Sequence, residues 1–150
     1  MATSTFAVEV ITLPVSDVDR AIRFYVDRVG FALDVDWRPR EDFGVVQLTP
    51  PGSGCSIQIG AGLTDAVPGS LRNTYLVVAD LDATREALVG RGVPVSEIRH
   101  KTPVGEWDGG FAPGLDPERG DYASFADFAD PDGNTWMLQE RGFHETAGEA

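Results

Sequence analysis

The chain has 150 residues, 42% of them apolar, which suits a single domain with a sizeable core. Its formal net charge of −12 excludes the broad basic patch that nucleic acid or an anionic membrane surface requires. The same charge is compatible with solubility alone or with a cationic small molecule as ligand.

Cys55 is the only cysteine, so no internal disulfide is possible. No apolar run approaches the roughly 20 residues of a spanning helix. The opening "MATSTFAVEV" lacks a basic region followed by an apolar one, so no signal peptide is expected, and the expected compartment is cytoplasmic.

Residues 8–15, "VEVITLPV", alternate as a strand, with Ile11, Leu13 and Val15 on one face and Val8, Val10, Thr12 and Pro14 on the other. A helix follows in "SDVDRAIRFYVDRVGF". Ser16 and Asp19 resemble a capping box, with Asp in place of Glu or Gln. Val18, Ile22, Tyr25, Val26 and Val29 share a helical face, and Gly30 takes the stop position. Strands are expected at 31–37, 43–49 and 55–60, separated by Pro/Gly-rich turns; "GSG" at 52–54 is a hairpin turn, with no helix after it to make a phosphate loop.

The pattern then restarts. "NTYLVVADLDATREALVGRGVPV" (73–95) reads as strand, helix, glycine stop, strand. Shifted by 63 positions, Leu13, Val15, Asp17, Asp19, Val26 and Arg28 meet Leu76, Val78, Asp80, Asp82, Val89 and Arg91, all identical. Both Asp-x-Asp pairs open a helix, where carboxylates are favoured. Strands near 121–128 and 134–140 close the second unit. The chain therefore reads as one domain over 1–150 with a repeated strand–helix–strand–strand–strand unit, at about 6–62 and about 71–141. A tail follows at 142–150. Residues 100–120 carry three prolines and five glycines with no usable period, and are expected as a long loop whose Trp107 and Phe111 suit a lid.

Together, "LPVSDVDRAIRFYVDRVGF", "YLVVADLDATREALVGRGVPV" and "FADPDGNTWMLQE" resemble the vicinal oxygen chelate superfamily, which includes glyoxalase I, bleomycin resistance proteins and extradiol dioxygenases. The resemblance covers about 8–140. It implies an α+β fold: two tandem βαβββ repeats forming a curled, incompletely closed eight-stranded mixed sheet with a concave ligand cup, commonly in dimers. In metal-using members the ligands, usually His, Glu or Gln, come from the first and last strand of each unit. The matching positions here are Val10, Gln58, Asn73 and Met137. Two amides, an alkyl group and a thioether supply no anionic ligand, so neither a metal nor another cofactor is expected.

Strand alternation sends Val10, Thr12, Gln47, Thr49, Ser56 and Gln58 into the cup, with Asn73, Tyr75, Tyr122, Ser124, Ala126, Thr135, Met137 and Gln139 from the second unit. This mixed surface of apolar patches and neutral polar groups suits a small-molecule pocket, with Trp37, Trp107 and Phe111 as an aromatic entrance. Gln58 and Asn73 either hydrogen-bond each other or backbone, or contact a ligand. Met137 either fills the core or touches ligand, while Trp136 is expected in the core. Cys55 is expected inert, with no base nearby.

His100 is the one candidate general base away from the chain end, since imidazole titrates near neutral pH. Asp34, Asp36, Glu106 and Asp108 are the candidate carboxylates. Two functions follow as expectations: a metal-independent binding protein of the bleomycin resistance type, holding an amphipathic or cationic compound, or a metal-free lyase or isomerase with His100 or a carboxylate as base. A metal-dependent glyoxalase or dioxygenase is the third reading. A homodimer is the expected assembly.

Overall fold

A computed structural model describes residues 4–145, so most of the acidic tail lies outside the described residues. The chain divides into two compact units: residues up to Leu71 together with the turn Asp130–Asn134, and Arg72–Ala129 with the residues from Thr135 on.

In the first unit, Val10–Thr12 (β1), Ala32–Arg40 (β2), Phe43–Thr49 (β3) and Ser56–Ile59 (β4) form one sheet in the order β1-β4-β3-β2. β1 runs parallel to β4 and the other pairs are antiparallel. In the second, Thr74–Val78 (β5), Arg99–Lys101 (β6), Phe111–Pro113 (β7), Ser124–Ala129 (β8) and Thr135–Glu140 (β9) are ordered β5-β9-β8-β6-β7. The βαβββ repeat is thus present twice, in two separate sheets. The extra strand β7 lies in the stretch expected as a loop, where Arg99, His100 and Lys101 pair with Pro113, Ala112 and Phe111. The expected lid is therefore a hairpin with Trp107 near its tip.

The helices begin alike. Asp17 caps α1 (Val18–Ile22) by accepting from Arg20 N at 3.0 Å, and Asp80 caps α2 (Leu81–Gly90) by accepting from Ala83 N at 3.0 Å. The first aspartate of each Asp-x-Asp pair is therefore the cap. Ser16, expected in that role, instead donates its hydroxyl to Asp132 at 2.5 Å. α1 continues as a π-helical stretch, Arg23–Val29, closed by Gly30 at φ 100°. The buried face is Ala21, Phe24 and Tyr25, at i, i+3 and i+4, one step round the helix from the face expected from Val18, Ile22 and Val26.

Each sheet has one face in a core. Leu13, Phe24, Tyr25, Phe31, Val46, Leu48, Ile57 and Ile59 are buried in the first unit; Leu81, Leu88, Ala126, Phe128, Trp136 and Leu138 are buried in the second. Trp136 stacks on Phe128 with ring centroids 6.4 Å apart. At about 1.5–3 kcal/mol for each fully buried large side chain, these faces dominate stability.

Polar clusters are buried among them, and two centre on a fully buried amide or carboxylate. In the turn "DPDGN", Asn134 is fully buried; its amide donates to Pro14 O at 2.9 Å and to Asp130 Oδ2 at 2.8 Å, and its carbonyl accepts from Leu71 N at 3.0 Å. Asp130 also accepts from the backbone N–H groups of Asp132 and Asn134 and from the Tyr25 hydroxyl at 2.7 Å. Gly69 makes room for this turn, since a Cβ there would lie 2.0 Å from Asp132 O, at φ +85°. In the second unit Glu140, fully buried, receives two hydrogen bonds from Arg119, at 2.8 and 2.6 Å, and one from Leu81 N at 2.8 Å.

Asn134→Ala leaves the Leu71 N–H unpaired and removes the amide donor from Asp130 and from the Pro14 carbonyl, which keeps Gly69 N at 3.1 Å; it should lower unfolding stability by about 1–3 kcal/mol in urea titrations. Arg119→Met, which strands the buried Glu140 carboxylate, should cost about 3 kcal/mol by the same measurement.

Candidate functional site: the open sheet faces

Each sheet's other face is only partly covered, and each unit presents its own. On the first sheet, register places Thr12, Gln58 and Gln47 side by side, with Val10 next to Ser56. Gln58 Nε2 donates to Thr12 Oγ1 at 2.7 Å, and the hydroxyls of Thr49 and Ser56 lie 2.7 Å apart. Val35 sits opposite Gln47 and Trp37 opposite Val45; Trp37 is 57% exposed. Thr49 also bonds to exposed Asp34. Asp36 is held by Arg38 at 2.7 Å, and that hydrogen bond keeps its carboxyl below the usual carboxylate range. A shallow cavity of about 700 Å³ lies elsewhere in this unit, lined by residues including Ser16, Arg38, Arg40, Phe43 and Gly60. Its arginines are already engaged, Arg38 by Asp19 and Asp36, and Arg40 by Asp42.

On the second sheet, Met137 lies between Tyr75 of β5 and Asp127 of β8, and Gln139 between Val77 and Phe125. Arg99 pairs with Phe125 across β6–β8 and so shares this face. Arg99 Nη1 donates to Asp127 Oδ1 at 2.7 Å and Nη2 approaches Met137 Sδ at 3.5 Å. Its guanidinium lies 5.1 Å from the centroid of Phe111. Lys101 Nζ lies 4.6 Å from the Trp107 ring and 5.4 Å from Phe125. Tyr75, Phe111 and Trp107 stand in edge contacts around this group; Phe125 is 3% exposed, while Tyr75, Trp107 and Phe111 are 56%, 42% and 40% exposed. Phe125 is thus a buried floor beneath exposed aromatic walls.

Several expected positions move. Ser124 and Ala126 are fully buried on the opposite face: Ala126 pairs with Leu138, and the Ser124 hydroxyl accepts from Asp116 N at 2.9 Å. The open-face residues of β8 are Phe125 and Asp127. The stretch "YASFADF" has apolar residues in both alternating sets, so the pattern does not reveal its register. Tyr122 precedes β8 in a left-handed conformation, φ 63°, and its hydroxyl accepts from Arg141 at 3.3 Å. Asn73 also precedes its strand, at φ 55°, with its N–H on Thr135 Oγ1 at 2.8 Å.

His100 lies in β6 opposite Ser124, so its ring points away from the face of Arg99 and Lys101; its Nδ1 is 2.8 Å from Gly114 O. A general base at His100 in the cup is therefore corrected by strand alternation. Glu106 and Asp108 are exposed at the hairpin tip. Arg99, Lys101, Phe125 and Asp127 were missed in the sequence. The alternation of Arg99 and Lys101 around His100 was the available signal, hidden because 100–120 reads as loop.

The family's metal positions do not fit a divalent ion in either unit. Val10 has no donor atom, Gln58 and Asn73 offer only neutral amide oxygens, and the Met137 sulfur is approached by a guanidinium. Among the described residues no three His, Cys, Asp or Glu side chains gather as a metal site. The buried floor and exposed walls predict unequal costs of truncation. Phe125→Ala should cost about 3 kcal/mol in chemical denaturation, against under about 1 kcal/mol for exposed Phe111→Ala.

Comparison with known proteins fits this architecture. The model of the Glyoxalase/Bleomycin resistance protein/Dioxygenase superfamily matches residues 7–138. TnmS3, an antibiotic binding protein from Streptomyces sp. CB03234, is 31% identical, with 93% of this chain and 98% of that one covered and a TM-score of 0.69. A glyoxalase/bleomycin resistance protein from the same organism is 30% identical, covering 89% and 100%, with a TM-score of 0.66. A superfamily member from Sphaerobacter thermophilus DSM 20745 is 26% identical, covering 91% and 98%, with a TM-score of 0.68. No curated protein matches the chain. With a family match along nearly its whole length and the repeat visible in both sheets, the chain belongs to the glyoxalase/bleomycin resistance protein/dioxygenase superfamily.

Proposed function

We propose that this chain is a metal-independent small-molecule binding protein that sequesters an amphipathic compound on its open sheet faces. One observation carries the reading. At Met137, where metal-using relatives place a ligand, a thioether lies between Tyr75 and Asp127 with the Arg99 guanidinium 3.5 Å away, and exposed aromatics surround it. Such a surface binds by area and a few placed polar groups, not by Lewis-acid chemistry. TnmS3, the antibiotic binding protein of similar fold, supports the same class of function.

The net charge of −12 favours a cationic ligand only at long range. Close to the second sheet, Arg99 and Lys101 oppose one, so an amphipathic aromatic compound is the better match. A metal-free lyase or isomerase gains no support from His100, which faces away, or from Asp127, whose carboxylate is engaged by Arg99.

We further propose a cytoplasmic homodimer. The exposed Leu33, Val35 and Trp37 on β2 supply apolar area for a second copy, and light scattering of purified protein should give twice the chain mass.

A thermal-shift screen with EDTA present should give raised melting temperatures with aromatic antibiotics, and Tyr75→Ala should weaken the best binder about tenfold. Shifts that vanish on chelation and return with a divalent metal would overturn metal independence. Absence of any shift across aromatic and cationic compounds would overturn the binding function.

A further inference from the structure

The chain has eleven arginines and a single lysine, Lys101, and that lysine stands over the aromatic group of the second sheet. In a protein with 24 acidic residues a cation readily finds a carboxylate, and Arg20, Arg38, Arg40, Arg85, Arg99 and Arg119 each do. Lys101 makes no ion pair among the described residues, and its three N–H donors have no oxygen acceptor there.

Its position is nonetheless defined. The ammonium lies 4.6 Å from the Trp107 ring and 5.4 Å from Phe125, and Trp107 is anchored by its own Nε1–H to Gly110 O at 2.6 Å. Beside it, Arg99 is neutralised by Asp127 at 2.7 Å. Counting Arg99, Asp127 and Lys101, this part of the face carries one net positive charge, on a protein of net −12.

We infer that this face binds a planar aromatic compound bearing one anionic oxygen group, a carboxylate or a phenolate, with the anion on Lys101 and the ring against Tyr75, Trp107 and Phe111. The inference rests on the small-molecule binding function proposed above and specifies its ligand class. Charge complementarity selects the anion. The exposed aromatic walls select a flat apolar body, which gains from edge and face contacts. A cationic aromatic is disfavoured because Lys101 and Arg99 already occupy the ring faces that would attract it. A lysine is a compact point charge with three rotatable donors, so it can meet a carboxylate or a phenolate oxygen without fixing a bidentate geometry.

Titration calorimetry with 2-naphthoate, neutral 2-naphthamide and cyclohexanecarboxylate tests this, each run on wild type, Lys101→Met and Lys101→Arg. Thermal melts establish that each variant is folded. Wild type should bind 2-naphthoate roughly tenfold more tightly than 2-naphthamide, and cyclohexanecarboxylate weakly if at all. Lys101→Met should abolish the preference while leaving naphthamide affinity within about twofold; Lys101→Arg should keep most of it.

Equal affinity for acid and amide, or a preference that survives Lys101→Met, overturns the inference and leaves the binding function standing. Cyclohexanecarboxylate binding as well as 2-naphthoate also overturns it, since the rings would then play no part. If neither 2-naphthoate nor 2-naphthamide binds, the inference falls, and the thermal-shift screen with antibiotics decides the binding function separately. Concentration-dependent self-association lost in Lys101→Met, without probe binding, assigns the face to a second copy and likewise overturns the inference.

Discussion

The alternation of β9 is the constraint from which the site follows. Trp136, Leu138 and Glu140 are buried, so Thr135, Met137 and Gln139 must face the other way. A slip of one residue would put the indole in solvent and the thioether in the core. The turn before β9 resists that slip. Asp130 N donates to Asn134 O, and the Asp130 carboxylate collects the backbone N–H groups of Asp132 and Asn134, closing the turn on itself. A five-residue motif that contains no site residue thereby decides which side chains the face can present.

The parts of the fold with local chemistry were legible in the sequence. The Asp-x-Asp pairs became caps, Gly30 took its positive φ, and the repeat reappeared as two sheets of the same strand connection. Where the sequence misled, a longer-range choice was responsible. Ser16 lost the capping role because Asp132, 116 positions away, competes for its hydroxyl. Phe24 entered the core because it lies three positions after buried Ala21 and beside Tyr25, a face that competes with that of Val18 and Ile22. Ser124 went to the buried side because an equally apolar set, Ala126 and Phe128, lay in phase with it. Residues 100–120 hid a hairpin because strands of three residues leave no period to detect.

Composition alone describes only the distant part of the electrostatics. A net charge of −12 describes the field far from the protein, and at ordinary ionic strength that field fades over roughly 10 Å. What a ligand meets on contact is the local arrangement. On the second sheet this is a paired arginine, an unpaired lysine and four aromatic rings. Two of the twelve cationic side chains, Arg99 and Lys101, stand over the rings of this face. Sign and place are therefore separate properties, and only the sign is visible in a composition.

Met137 then reads as more than a lost metal ligand. A glutamate at 137 would reach toward the Arg99 guanidinium, now 3.5 Å from the thioether sulfur, and compete with Asp127 for it. It would arrive already neutralised, a poor ligand for a divalent cation. The nearby arginine would repel that cation as well. One carboxylate at 137 would not make a metal site, because the neighbouring strands place Arg99 beside it. Arg99 from β6 and Asp127 from β8 form a closed pair across the position, and the thioether is the soft, uncharged group that tolerates both without disturbing either. The thioether and the cation-bearing aromatic surface thus lie on the same sheet face and suit one another.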